Sequence, residues 1–178
     1  MKCRNYGQRN YHNYGLLVAV LVFFLTITYV YIKKLPVKTT IGSYQLQIAA
    51  TSKERAKGFQ GVHHIPKRTG ILFVYPIPTK AIYWMYRCYT GIDIVFLDIN
   101  GKVQGITSAM PTTDKKLPPE QYPRYTVYGP IDAHKITHTS LPKTAYVIEV
   151  PLGEGVDFSK TSAHLVPHSI KTLGINAS

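Results

Sequence analysis

Acid, cysteine and tryptophan are all scarce in this chain. Its 178 residues hold nine Asp and Glu against 21 Lys and Arg, with two cysteines and one tryptophan. Two cysteines exclude a disulfide framework. Cys3 and Cys88 also flank a long apolar run, so with a bilayer between them they do not bridge. Acylation of Cys3 near the membrane face is the alternative to a plain thiol. There is no Gly-x-Ser-x-Gly elbow, no Gly-rich phosphate loop and no internal repeat, which removes the best-marked nucleophile and nucleotide sites. No cofactor is expected. The formal net charge is +12; residues 35–178 carry +7 of it, 16 basic residues facing all nine acids. No five like charges run together, and this scatter argues against nucleic acid as a partner.

What the chain does have is apolar residues (45%) and tyrosine, 14 against six phenylalanines. That composition suits a packed, β-rich domain with half-exposed rings. Residues 15–32 carry no charge; as a helix they rise about 27 Å, close to the hydrocarbon thickness of a bilayer. Tyr29, Tyr31, Lys33 and Lys34 follow as interfacial anchors. No small-x-small pair offers a signal-peptide cleavage site. The division expected is a basic tail (1–14), a transmembrane anchor (15–32), a linker with the first strand (33–42), a β domain (43–152) and a C-terminal tail (153–178). The basic tail places the N-terminus inside, so the expected location is a single-pass membrane protein with a periplasmic or extracellular domain.

Short strands with turn signals fill the rest. Thr39–Ile41 and Tyr44–Ile48 flank Gly42-Ser43 as a hairpin, with Tyr44, Leu46 and Ile48 on one face. Thr51-x-x-Glu54 is a capping box for a short helix ending at Gly58. Gly70–Tyr75 reads as a buried strand. Residues 92–97 form another, with Ile92, Ile94 and Phe96 facing one way and Asp93, Val95 and Leu97 the other. Asn100-Gly101 suits a tight type I′ turn. Pro111, Pro118, Pro119, Pro123 and Pro130 mark an extended loop. Thr144–Val150 is the last strand, and a short helix is expected near Pro167–Leu173. The fold class expected is all-β, barrel or sandwich-like with one short helix, behind a single transmembrane helix.

Several motifs, in order, carry a family likeness: Glu54-Arg55-x-x-Gly58-Phe59, Gly70–Tyr75, Tyr83-Trp84-Met85, Ile92–Asp98 with Gly101 and Val103, and Tyr146–Glu149. Together they resemble the bacterial and archaeal family called domain of unknown function 192, over roughly Ser43 to Leu152. The resemblance implies a compact β-rich domain, often exported or anchored, with no established activity. The chain departs from the family pattern at Tyr86, Arg87, Cys88 and Gly91.

Asp93 is the odd acid in an apolar strand. With Trp84 and Arg87, and with Glu54 and Arg55 nearby, it could bind a polyol or sugar: carboxylate for hydroxyls, indole for the ring face. Alternatively Asp93 is structural, capping a turn or pairing with Arg87 or Arg55. A second reading is an envelope-polysaccharide hydrolase using Asp93 and Glu149 as its two carboxylates. A third is an accessory subunit of a membrane complex. Asp98, before Asn100-Gly101, reads as a turn residue. The spacings His134-x-x-x-His138 (with Asp132) and His164-x-x-x-His168 are ligand-like, but Thr137, Thr139 and Pro167 spoil the helices they need, and His63-His64 fall in a loop; no metal is expected. Cys88 beside Arg87 is either an activated thiolate or a packed thiol.

Overall fold

A computed structural model describes residues 11–34, 37–111, 117, 121–126, 128–131, 141–159 and 165–173. The chain divides into two units, Met1–Pro36 and Val37–Ser178.

Among the described residues the first unit holds one helix, α1 (Tyr11–Lys34). Its apolar side chains from Leu16 to Ile27 stand exposed on every side. Nothing among the described residues of the unit covers them, since a lone helix has no neighbour against which to bury a stripe. Among the side chains described, which in α1 are those of residues 15–28, no helix is long and apolar enough to cross a membrane.

The second unit is mostly β-sheet. Its strands are β1 (Lys38–Ile41), β2 (Tyr44–Ala49), β3 (Thr69–Thr79), β4 (Tyr83–Trp84), β5 (Ile92–Leu97), β6 (Val103–Ala109), β7 (Arg124–Thr126), β8 (Gly129–Ile131) and β9 (Thr144–Pro151). Two short helices, α2 (Ser52–Lys57) and α3 (Leu165–Thr172), and a 3-10 turn, Gly155–Phe158, accompany them. Six strands form one sheet in the order β1-β2-β3-β9-β5-β6, and β4-β7-β8 form a second. The main sheet is open, with β1 and β6 at its edges, so of the barrel or sandwich expected from the sequence the closed barrel does not form. It is also mixed: β2 and β3 run parallel, because α2 and the loop after it carry the chain back to the start of β3.

Local chemistry accounts for most of these elements. The capping box at α2 is complete: Glu54 N donates to Thr51 Oγ1 (3.2 Å) and Thr51 N donates to Glu54 Oε2 (2.8 Å). Gly58 then stops the helix at φ +43°. The β5–β6 turn differs from the expected type I′. Gly101 alone takes a positive φ (+77°). Asp98 Oδ1 accepts from Asn100 N and Lys102 N, and the register shifts between Phe96 and Leu97. The side-chain acceptor at Asp98 favours a longer turn with a bulge over the two-residue one.

Two apolar cores lie on opposite faces of the main sheet. One gathers Tyr44, Leu46 and Ile48 with Val95, Leu97, Phe158, Val166 and Ile170, under the 3-10 turn and α3. The other gathers Ile71, Phe73, Ile92, Ile94 and Phe96 with Phe59, Tyr83, Met85, Cys88 and Tyr125, under the α2–β3 loop and the small sheet. All six residues of β5 are buried: it is a central strand covered on both sides, which explains its nearly unbroken apolar run.

Candidate functional site

The parity of β5 decides the fate of Asp93. It lies on the face of Val95 and Leu97, 3% exposed, and its carboxylate is fully employed. Oδ2 accepts from Gly153 N (2.8 Å) and Gly155 N (2.9 Å), and Oδ1 accepts from Ser108 Oγ (2.7 Å). A Cβ on Gly155 would stand 2.7 Å from Asp93 Cβ, so only glycine lets the 3-10 turn approach this closely. Asp93 ties that turn to the sheet, the structural alternative raised by the sequence.

The other expected ligand residues are not gathered around it. Tyr83 and Met85, on either side of Trp84, belong to the core of the opposite face. Trp84 is half-buried in a cation–aromatic stack: Tyr86 lies 5.2 Å away at 29°, and the Arg124 guanidinium sits 4.5 Å over the indole. Arg87 is exposed, at φ +56°, 5.9 Å from the Tyr86 ring. Glu54 is consumed by its cap, and those donors hold its carboxyl below the usual range. Arg55 Nη1 donates to the carbonyls of Ala50 and Val74 (3.0 Å to the latter) and its guanidinium covers Tyr75 at 5.1 Å, clamping α2 to β3. The sequence-expected site of Trp84, Asp93, Arg87, Glu54 and Arg55 is therefore not formed. The cause is sheet parity: a one-residue step along a strand moves a side chain to the other face.

Parity also separates the two carboxylates of the hydrolase reading. Glu149 pairs in register with Ile71 on one side and Ile94 on the other, both members of the core opposite Asp93. The sheet itself lies between the acids, so no bond can sit between them in either glycosidase geometry.

Glu149 is nevertheless unusual. It is 5% exposed, and its Oε2 lies 3.7 Å from where a Cβ on Gly58 would be. Burial alone raises its carboxyl to about 8, and no hydrogen bond or ion pair to it is found among the described residues. Beside it Tyr75 and Tyr83 share a hydrogen bond (2.8 Å), and burial raises both phenols. Burial, then the Glu149 carboxylate, push the Cys88 thiol up to about 12. A thiol kept un-ionised by its burial is the packed alternative for Cys88, and Arg87 does not activate it.

The cavity on this face lies at the neighbouring strands. A groove of about 190 Å³ is walled by Lys38, Gln45, Gln47, Thr69, Gly70 and Ile71 from the sheet and by Phe59, Val62, His64, Ile65 and Pro66 from the α2–β3 loop. On β2, Gln45 and Gln47 alternate with the buried Leu46 and Ile48 and so meet the loop rather than the core below. The loop is pinned at several points. Gly61 N donates to Arg87 O (2.9 Å), Val62 N to Phe59 O (3.1 Å), Thr69 Oγ1 to Pro66 O (2.7 Å) and Gln45 N to Arg68 O (2.9 Å). His63 stacks on Tyr89 at 4.3 Å. Arg68 and Arg87, the two non-glycine residues at positive φ among those described, are the two whose carbonyls fasten the loop. Backbone held in sparsely populated regions is typical of functional sites.

Among the described residues no group of three or more His, Cys, Asp or Glu gathers. Asp132, His134, His138 and His164 lie outside them. Sequence reasoning placed His63-His64 in a loop but missed Lys38, Gln45 and Gln47; the glutamines alternating through Tyr44–Ile48 were the available signal.

No curated protein matches the chain. Among solved structures it is similar to a protein of unknown function from Novosphingobium aromaticivorans (23% identity, TM-score 0.46, covering 72% of this chain and 81% of that one). It is also similar to a putative transcription regulator from Sinorhizobium meliloti (17% identity, TM-score 0.45, covering 78% and 84%). Residues 34–157 match the family described as Uncharacterized ACR, DUF192, and the chain belongs to that family.

Proposed function

We propose that this protein is a membrane-tethered binding domain whose ligand seat is the groove between β2–β3 and the α2–β3 loop. One observation carries the binding reading: a cavity with polar and apolar walls lies under a loop fastened by two residues in strained backbone. Such a seat is formed before a ligand arrives, which lowers the entropic cost of binding. At about 190 Å³ it is smaller than the roughly 300–1,000 Å³ of typical drug-sized pockets. It suits a small molecule, or one end of a larger one.

The tether rests on the uncharged run 15–32 within the 24 residues of α1, a rise of about 36 Å for the whole helix. In this reading the lipid bilayer is the partner of 15–32, and the folded domain works outside the cytoplasm on an envelope component or a protein partner. Catalysis is not invoked: with Asp93 and Glu149 on opposite faces, the hydrolase has no acid pair.

The test uses full-length protein in detergent micelles, with the side-chain amide signals of Gln45 and Gln47 followed by NMR. Phenylacetate, 2-phenylethanol and N-acetylglucosamine serve as probes. Shifts at the two glutamines and His64 from any of them support the groove. Shifts confined to the Trp84 indole, or none with any probe, overturn it.

A further inference from the structure

The groove's walls differ in chemistry. Its eleven residues include Lys38 and His64 and no Asp or Glu, in a chain where each acid described on this face is either buried below or used elsewhere. Glu149 stands beside Ile71 on the adjoining strand, outside the groove's lining, and is held mainly neutral by its burial. Glu54 is bound to its cap. No negative charge therefore offsets Lys38 within the cavity. Gln45 and Gln47 add amide N–H donors, Thr69 a hydroxyl already committed to Pro66 O, and His64 a ring N–H in either neutral tautomer. Apolar side chains complete the lining, Phe59, Val62, Ile65 and Pro66 from the loop and Ile71 from the sheet.

A cation, several donors and apolar side chains lining one cavity match one ligand class. We propose that the groove binds a small organic acid, its carboxylate toward Lys38, Gln45 and Gln47 and its apolar body against Phe59, Val62 and Ile71. This rests on the binding reading above and adds the charge of the ligand to it. A charge-assisted hydrogen bond from Lys38 is the strongest contact available. It is solvent-exposed, so it sets preference between ligands more than total affinity. A sugar fits less well, because the walls lack an acid to accept from its hydroxyls.

The experiment compares two probes of the same shape, phenylacetate and 2-phenylethanol, by NMR titration of the full chain at low salt. Lys38→Gln and Lys38→Arg are run beside the parent, with unchanged amide spectra away from the groove as the check of folding. The expected result is binding of phenylacetate about tenfold tighter than the alcohol, a preference lost in Lys38→Gln, kept in Lys38→Arg and reduced by added salt. Equal binding of the two probes, or a preference indifferent to Lys38, overturns the acid proposal and leaves the groove as a neutral seat. Failure of both probes to perturb any groove residue overturns the acid proposal, and the same failure with N-acetylglucosamine overturns the binding reading as well.

Discussion

Asp93 and Glu149 stand one step apart in register on paired strands, Asp93 opposite Val150 and Ile94 opposite Glu149, yet their carboxyls leave through opposite faces of one sheet. Neighbours in the backbone ladder, they live in different chemistry. Asp93 is held by three donors. Glu149 stands in the core between Ile71 and Ile94 in register, and burial keeps its proton on up to about 8. The two acids are structural opposites, and substitutions should tell them apart.

Removing the Asp93 carboxylate strands two backbone N–H groups, at Gly153 and at Gly155 where the 3-10 turn begins. Hydrogen bonds to charged groups contribute about 1.5–3 kcal/mol each, partly recovered by water. Asp93→Ala should cost about 3–5 kcal/mol in urea denaturation, and Asp93→Asn less, because one acceptor oxygen remains. Phenylacetate binding should be unchanged in whichever variant stays folded. A loss below 1 kcal/mol in Asp93→Ala would contradict its role as the tie.

Glu149 makes folding depend on pH. Its folded value lies above the ordinary 4.5, so the folded state binds the extra proton. Stability is fully present below about 4.5 and declines as pH rises through about 8. At 1.36 kcal/mol per unit, the loss over that window is on the order of 5 kcal/mol. Glu149→Gln removes the titration, so the variant should gain on the parent steadily from pH 5 to 8 in denaturation curves. Parallel pH profiles for the two proteins would refute this.

Gly70 marks where β3 passes closest to β9. A Cβ there would meet the Glu149 carbonyl oxygen at 2.3 Å and Val150 Cγ1 at 2.9 Å, and a backbone atom cannot yield as a side-chain tip can. Gly70→Ala should destabilise by about 2–4 kcal/mol and broaden the NMR signals of the adjoining groove. Gly61→Ala has open space around it but sits at φ +81°, so it should cost only about 1 kcal/mol of backbone strain.

Cys88 should be chemically quiet. With the thiol pushed to about 12, its thiolate fraction at neutral pH falls roughly a thousandfold below that of an ordinary cysteine. In a Cys3→Ser background, iodoacetamide should modify folded protein at least a hundredfold more slowly than protein in guanidinium. Equal rates would mean that the loop over Cys88 opens freely.

Elements with a local cause were legible in the sequence. The Thr51–Glu54 capping box, the turn role of Asp98, the last strand and the short helix expected near Pro167–Leu173, found at Leu165–Thr172, each follow from residues within a few positions. What depends on distant pairing was not. β9 inserts between β3 and β5 from some fifty residues downstream, and nothing local announces that. The proposed Trp84–Asp93 site failed for the same reason. Proximity in sequence suggested a shared site, while the intervening turn at Arg87 and the parity of β5 sent the two side chains to separate surroundings. The glutamines of β2 were visible as an alternating polar face, but only the loop returning over them makes a cavity.

The most direct measurement is covalent mapping of where a ligand sits. Full-length protein in micelles would be irradiated with a diazirine-bearing phenylacetate and its peptides sequenced by mass spectrometry. Adducts concentrated in residues 38–47 and 59–71, and competed away by unlabelled phenylacetate, are the predicted result. Competed adducts concentrated in residues 83–93, with none in the groove, would contradict it.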